Sequence, residues 1–138
     1  MVVLEKIWHD LYREAKRKLK AKEIQPFIEI GTSACAIQAS NGKIYTGVNI
    51  LSNSKIKANA EKSAIIEMFN DNEYIIKKIV ILNELEEVIT PSSDCFDYIL
   101  ELESEPNNIE ILIDYENKKI IKLDELIPEW WGTYRNKK

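Results

Sequence analysis

Two short stretches hold the residues best suited to chemistry: Asn59-Ala60-Glu61 and Pro91-Ser92-Ser93-Asp94-Cys95. Each opens a predicted helix. Glu61 is a carboxylate that can carry a proton, and Cys95 a sulfur that can bind a metal as its thiolate. Plain helix chemistry accounts for the same residues. Asn59 is a favoured N-cap, and Glu61 then lies in the first turn, where a negative charge suits the helix dipole. Thr90-Pro91-Ser92-Ser93-Asp94 is an ordinary capped start with Pro at the first helical position. Cys95 then reads as a small buried hydrophobe. The chain has one histidine, His9, so a multi-histidine metal site is excluded. Its two cysteines, Cys35 and Cys95, do not suggest a disulfide framework.

The elements that position these residues follow from periodicity. Leu4, Ile7, Trp8, Leu11, Ala15 and Leu19 recur at three- and four-residue steps and predict a helix over about 3–22, which Pro26 helps to end. Residues 29–39 read as a strand of unusually small side chains, which would let a helix pack close. Asn41-Gly42 is a hairpin signal, and 43–51 is the returning strand. Ala60, Ala64, Ile65, Met68 and Phe69 share one face of a helix over 59–70. The continuous apolar run 78–82 is a buried strand. A helix from Thr90-Pro91 to about residue 103 turns Cys95, Tyr98, Ile99 and Leu102 inward. Strands at 109–113 and 119–122 flank Glu116-Asn117, and a short helix over 123–126 precedes Pro128-Glu129-Trp130-Trp131-Gly132. The order αββαβαββα implies an α/β fold, a mixed five-stranded sheet sandwiched by helices. No repeat or linker divides residues 1–138, which read as a single domain.

Composition narrows the function classes. The 138 residues are 45% hydrophobic, enough for a core and too short for two ordinary domains. The net charge of −4 is unevenly spread: residues 1–22 hold seven Lys or Arg against three acids, whereas 84–110 hold nine acids and no base. A mildly acidic chain with its positive charge on one helix is a poor nucleic-acid binder, and a solvated helix face explains the charge. No run approaches the ~20 apolar residues of a membrane span. With no signal-peptide pattern at the start, a cytoplasmic location is expected.

The stretch Ser40-Asn41-Gly42-Lys43-Ile44-Tyr45-Thr46-Gly47-Val48-Asn49-Ile50, the helix start Ala60-Glu61, and Pro91-Ser92-Ser93-Asp94-Cys95 together resemble the cytidine deaminase family. The resemblance is nearer to its cytidine deaminase-like and blasticidin-S-deaminase-like subgroup, and Leu123 to Gly132 resembles that subgroup's C-terminal segment. It covers essentially the whole chain and implies a cytidine deaminase-like αβα sandwich. In that family three protein ligands hold zinc and leave a position for water, whose pKa the metal lowers. A glutamate that is not a ligand shuttles the proton. The ligands of free-nucleoside deaminases are the Cys of Cys-Ala-Glu and two in Pro-Cys-x-x-Cys.

Carried over by position, the resemblance makes Glu61 a vestigial proton shuttle. Asn59, Ser92 and Cys95 stand at the ligand positions, so two of three ligands are lost. An amide and a hydroxyl are poor partners for zinc, which is expected to be absent or weakly held. Asp94 and Ser93 point elsewhere if the helix begins where the motif says. On the substrate side the resemblance marks Asn49, Leu51 and Ala60. Asn49 matches a residue that contacts the sugar, while Leu51 stands where an acid is expected and leaves a hydroxyl without its acceptor, at about 1–3 kcal/mol.

These readings imply a catalytically inactive relative that binds a pyrimidine nucleoside or related small molecule. The alternatives are an active deaminase with an altered metal site, or a structural subunit. The resemblance implies a homo-oligomer, dimer or tetramer, or assembly with an active relative; no nucleic acid and no membrane are expected as partners. The remaining candidates have plain readings. His9 is a surface residue and Cys35 is core. Trp130 and Trp131 either cap the pocket or pack, with packing the simpler account. Tyr45 and Phe27 either stack on a base or serve as core or rim. The segment 52–57, with Lys55 and Lys57 near the pocket mouth, is read as a solvated loop.

Overall fold

A computed structural model of the chain describes residues 3–20, 22–53, 55–91 and 108–126. Its elements are α1 (Lys6–Lys18), β1 (Lys22–Gln25), β2 (Ile28–Ala39), β3 (Ile44–Ser52), β4 (Lys55–Ala58), α2 (Ala60–Asn70), β5 (Ile76–Leu82), β6 (Val88–Ile89), β7 (Glu110–Asp114) and β8 (Lys119–Lys122), with a 3-10 turn at Leu123–Glu125. The strands form one sheet in the order β4-β3-β2-β5-β7-β8, with β1 beside β2 and β6 beside β5. Among the described residues only the β5–β7 pair is parallel, so the sheet is mixed, as expected.

Alternation along the strands divides the core between the two faces of the sheet. Ala34, Ala36, Val80, Leu82 and Leu112 cluster with Trp8, Leu11 and Ala15 of α1. Cys35, Ile37, Ile79, Ile81 and Ile111 cluster on the other face with Ala60, Ala64, Ile65 and Met68 of α2. The helices therefore cover opposite faces, which is the expected αβα arrangement. The small side chains of β2 have their counterpart in β3. Gly47 sits opposite Cys35, and a Cβ there would come within 2.3 Å of the Ala64 nitrogen and 2.7 Å of the Ala60 oxygen. Glycine is needed at this position because α2 lies with its backbone against the strand.

The structure corrects several expectations. Three short strands, β1, β4 and β6, join the five expected ones. The first helix stops at Lys18 instead of reaching residue 22, because 22–25 pairs with β2. The reason is edge coverage: β5 pairs with β2 only from Ala34 onward, which leaves 28–30 open to β1. The expected loop 52–57 instead contains β4, which covers the outer edge of β3. The short helix at 123–126 is a 3-10 turn.

Gly42 adopts φ +86°, and its amide donates to the Ala39 carbonyl at 2.9 Å. The β2–β3 hairpin thus closes through a three-residue loop with a left-handed glycine. The helix expected from Thr90 onward lies outside the described residues, apart from exposed Thr90 and buried Pro91. Among the described residues, no helix is long and apolar enough to cross a membrane.

Candidate functional site

The register locates the start of α2. Ile50 of β3 pairs with Ala58 of β4, and the chain turns at Asn59 into the helix. The helix passes over Gly47, and at its far end Asp71 meets Tyr45 near the hairpin: the Tyr45 hydroxyl donates to the Asp71 carboxylate at 2.5 Å. α2 therefore runs antiparallel to β3, with its N-terminus beside Asn49, Ile50 and Leu51. Asn49 and Leu51 are two residues apart on the face that α2 covers. The structure thus brings together five of the residues singled out in the sequence: Asn49, Leu51, Asn59, Ala60 and Glu61. Ser92 and Cys95 lie outside the described residues, as do Ser93, Asp94, Trp130 and Trp131.

Asn59 has extended backbone angles (φ −92°, ψ 164°), and its side-chain oxygen accepts the Lys62 amide at 2.9 Å. This is an N-cap bond that satisfies one of the free amides of the first turn. The Asn59 carbonyl accepts the Ser63 hydroxyl at 3.1 Å, which tightens the same turn. Ala60 is fully buried against β3. Glu61, in the first turn, is 6% exposed, an unusual burial for a carboxylate and one that the positive end of the helix favours.

Asn49 is 7% exposed, and both ends of its amide are engaged. Its oxygen accepts the Ser33 amide at 2.9 Å, and its nitrogen donates to the Thr32 hydroxyl at 2.7 Å. Both partners lie in a bulge of β2, where the register with β3 shifts between Ile30 and Ala34. Asn49 thus replaces ladder hydrogen bonds that the bulge removes. Thr32 and Ser33 were not singled out in the sequence, although a glycine inside a strand pattern, Gly31, is a bulge signal. Gly31 takes φ +80° there and leaves room for the backbone of Lys20.

Leu51 is half-buried and lies opposite Ile56 of β4 on one side and Glu29 of β2 on the other. Phe27, at φ +69° in the β1–β2 turn, is 73% exposed at the same end of the sheet, a rim position. Tyr45 is core and lies at the opposite end of α2, away from this site. The Asp71 carboxylate raises the Tyr45 phenol above its ordinary pKa. That bond and Lys43 hold Asp71 below the usual carboxylate range. His9 is exposed and Cys35 is buried, as expected. On the α1 face, a groove of about 700 Å³ is bordered by Tyr12, Lys16, Glu86 and Tyr115, and contains none of these candidates.

No protein-family model matches the chain, and no curated protein sequence is significantly similar. Solved structures are similar. The cytidine deaminase of Mycobacterium tuberculosis aligns at TM-score 0.67 and 16% identity over 91% of this chain and 97% of that one. That of Mycobacterium leprae aligns at 0.70 and 16% over 91% and 100%. The enzyme of Bacillus anthracis aligns at 0.65 and 22% over 95% and 94%. At these identities the likeness is one of fold, and the chain has the cytidine deaminase-like fold.

Proposed function

We propose that this chain uses the cytidine deaminase-like fold without deaminase turnover, and binds a pyrimidine or related heteroaromatic base beside the N-terminus of α2. The observation that carries this reading is the bond from the Lys62 amide to the Asn59 side chain. An amide oxygen spent on capping a helix is a poor metal donor. The other two positions carry a serine and a single cysteine, so one thiolate would have to do nearly all the binding. This donor set does not fit zinc, and no step through a metal follows from it.

What remains is a binding chemistry. The buried carboxylate of Glu61 can accept a hydrogen bond from an exocyclic amino group such as that of cytosine. Half-buried Leu51 offers apolar contact beside it, fully buried Ala60 sits behind it, and Asn49 shapes the wall by holding the β2 bulge. Water at such a site lacks the acidification that a metal supplies, several pKa units in zinc hydrolases, so hydrolysis does not follow from binding.

The test is to incubate the pure protein with cytidine, deoxycytidine and blasticidin S while measuring ammonia and bound zinc. We expect neither steady ammonia release nor stoichiometric zinc. Release that a chelator abolishes would establish an active deaminase with an altered metal site and overturn the reading. We also propose that the chain self-associates. Ile66 of α2 and Ile56 of β4 are exposed apolar residues that an assembly would cover. A monomer in sedimentation at micromolar concentration would reject this.

A further inference from the structure

We propose that the groove on the α1 face is a binding site for a linear polyammonium ligand, a chain of protonated amines joined by methylene segments. The proposal is independent of the base-binding reading above, because this groove lies across the sheet from α2. Its volume of about 700 Å³ is in the range of small-molecule sites. Four carboxylates, Glu86, Glu87, Asp114 and Glu116, border it, against a single base, Lys16. Asn117 donates to both oxygens of Asp114, at 3.1 and 2.6 Å, and so holds that carboxyl below the usual carboxylate range. Glu116 is exposed and makes no side-chain hydrogen bond or ion pair among the described residues. Lys16 shows what the groove accepts: its ammonium lies 3.4 Å from the Glu86 carboxylate. One ammonium of the chain's own thus answers one acid, and three negative charges are left for a ligand.

The rest of the wall is aromatic and apolar. Tyr12 and Tyr115 stack with ring centroids 3.8 Å apart and planes within 3°, and the Tyr12 hydroxyl donates to the Glu86 carbonyl at 3.1 Å. The two rings are thereby fixed beside the acids. Burial, and then Glu86 and Glu116 against the opposing charge of Lys16, raises the Tyr12 phenol above its ordinary pKa, so both carboxylates act on this ring. Leu85, at the border, is 77% exposed. Aromatic rings attract ammonium groups, and apolar side chains cover methylene segments. Among the described residues no three His, Cys, Asp or Glu side chains converge as a metal ion requires. The negative charge is spread along the groove, and a ligand that spreads its own charge along an aliphatic chain matches it where a compact ion does not.

Calorimetric titration with spermidine, putrescine and magnesium tests this, in about 0.1 M salt so that charges more than about 10 Å away are screened. Spermidine should bind saturably with a Kd of about 1 mM or tighter, ahead of both putrescine and magnesium. Lys16→Gln removes the competing ammonium and should tighten spermidine binding about two- to fivefold, and Glu116→Gln should weaken it by a similar factor, the scale of an exposed ion pair. Two charge-matched changes outside the groove serve as controls: Lys6→Gln, about 15 Å along α1 from Lys16, and Glu67→Gln, exposed on α2. Neither should alter the affinity, and all four variants should melt with wild type. No saturable spermidine binding, or magnesium binding as tightly as spermidine, would overturn the proposal. So would groove variants that shift the affinity no more than the controls, which marks diffuse attraction to an acidic surface. A tetralysine peptide that outbinds spermidine would assign the groove to a basic protein segment and overturn the small-molecule reading.

Discussion

Asn49 is the residue whose role the structure most changes, and its removal separates two accounts of the site. If its amide serves a ligand, truncation should leave stability nearly untouched. If it holds the β2 bulge, truncation should destabilise the fold. Asn49→Ala removes two hydrogen bonds, to the Ser33 amide at 2.9 Å and the Thr32 hydroxyl at 2.7 Å. The Thr32 hydroxyl loses a donor that water can replace, but the Ser33 amide is part-buried and loses its acceptor. An orphaned donor costs about 1–3 kcal/mol, and the second bond adds about 0.5–1.5 kcal/mol, so a loss of about 1.5–4.5 kcal/mol is expected. Unfolding entropy of about 2 cal/mol/K per residue over 138 residues makes each kcal/mol worth about 3.5 °C, hence a fall in melting temperature of about 5–16 °C. Urea and thermal unfolding of both proteins measure this directly. A change below about 0.5 kcal/mol, the range of ordinary surface substitutions, would refute the bulge assignment and return Asn49 to the ligand.

Three further outcomes follow from the same geometry. Gly47→Ala places a Cβ against the backbone of α2, which must withdraw by about 1 Å to reach normal contact. The expected loss is about 1–3 kcal/mol with weakened base binding, and unchanged unfolding and titration curves would contradict it. Tyr45→Phe removes the main cause of the depressed Asp71 pKa. Because a lowered carboxylate pKa adds stability above the ordinary value of 3.8 that is lost as pH falls through the folded value, the variant should lose less stability on acidification below about pH 4. Urea midpoints between pH 3 and 7 that run parallel for the two proteins would reject this. The double variant Asn59→Cys with Ser92→Cys should lose about 1 kcal/mol of helix capping and gain stoichiometric zinc. Elemental analysis and melts with and without zinc check both halves, and a chain that takes up no metal has helix starts placed differently from those of the zinc enzymes.

Residues that follow a local period were legible in advance. The five expected strands, the N-cap at Asn59, the buried face of α2 and the Asn41-Gly42 turn all appear close to where side-chain type alone puts them. Each depends on chemistry within a few residues: alternation, a capping side chain, a glycine able to take a left-handed angle. β1 and β4 were not legible, because they cover open edges of β2 and β3, which strand register and not a local period decides. Tyr45 shows the same limit from the other side. Its aromatic ring fits a ligand site as well as it fits a core, and only the path of α2 puts it at the far end from Glu61.

The sequence by itself determined the fold class and the start of α2 at its Asn59 cap, because these depend on residue type and local spacing. Only the tertiary structure decided what Asn49 binds, why residue 47 must be glycine and which residue faces Leu51. Those are properties of contacts between distant segments, set by strand register and by how closely a helix lies on the sheet, and no local period encodes either.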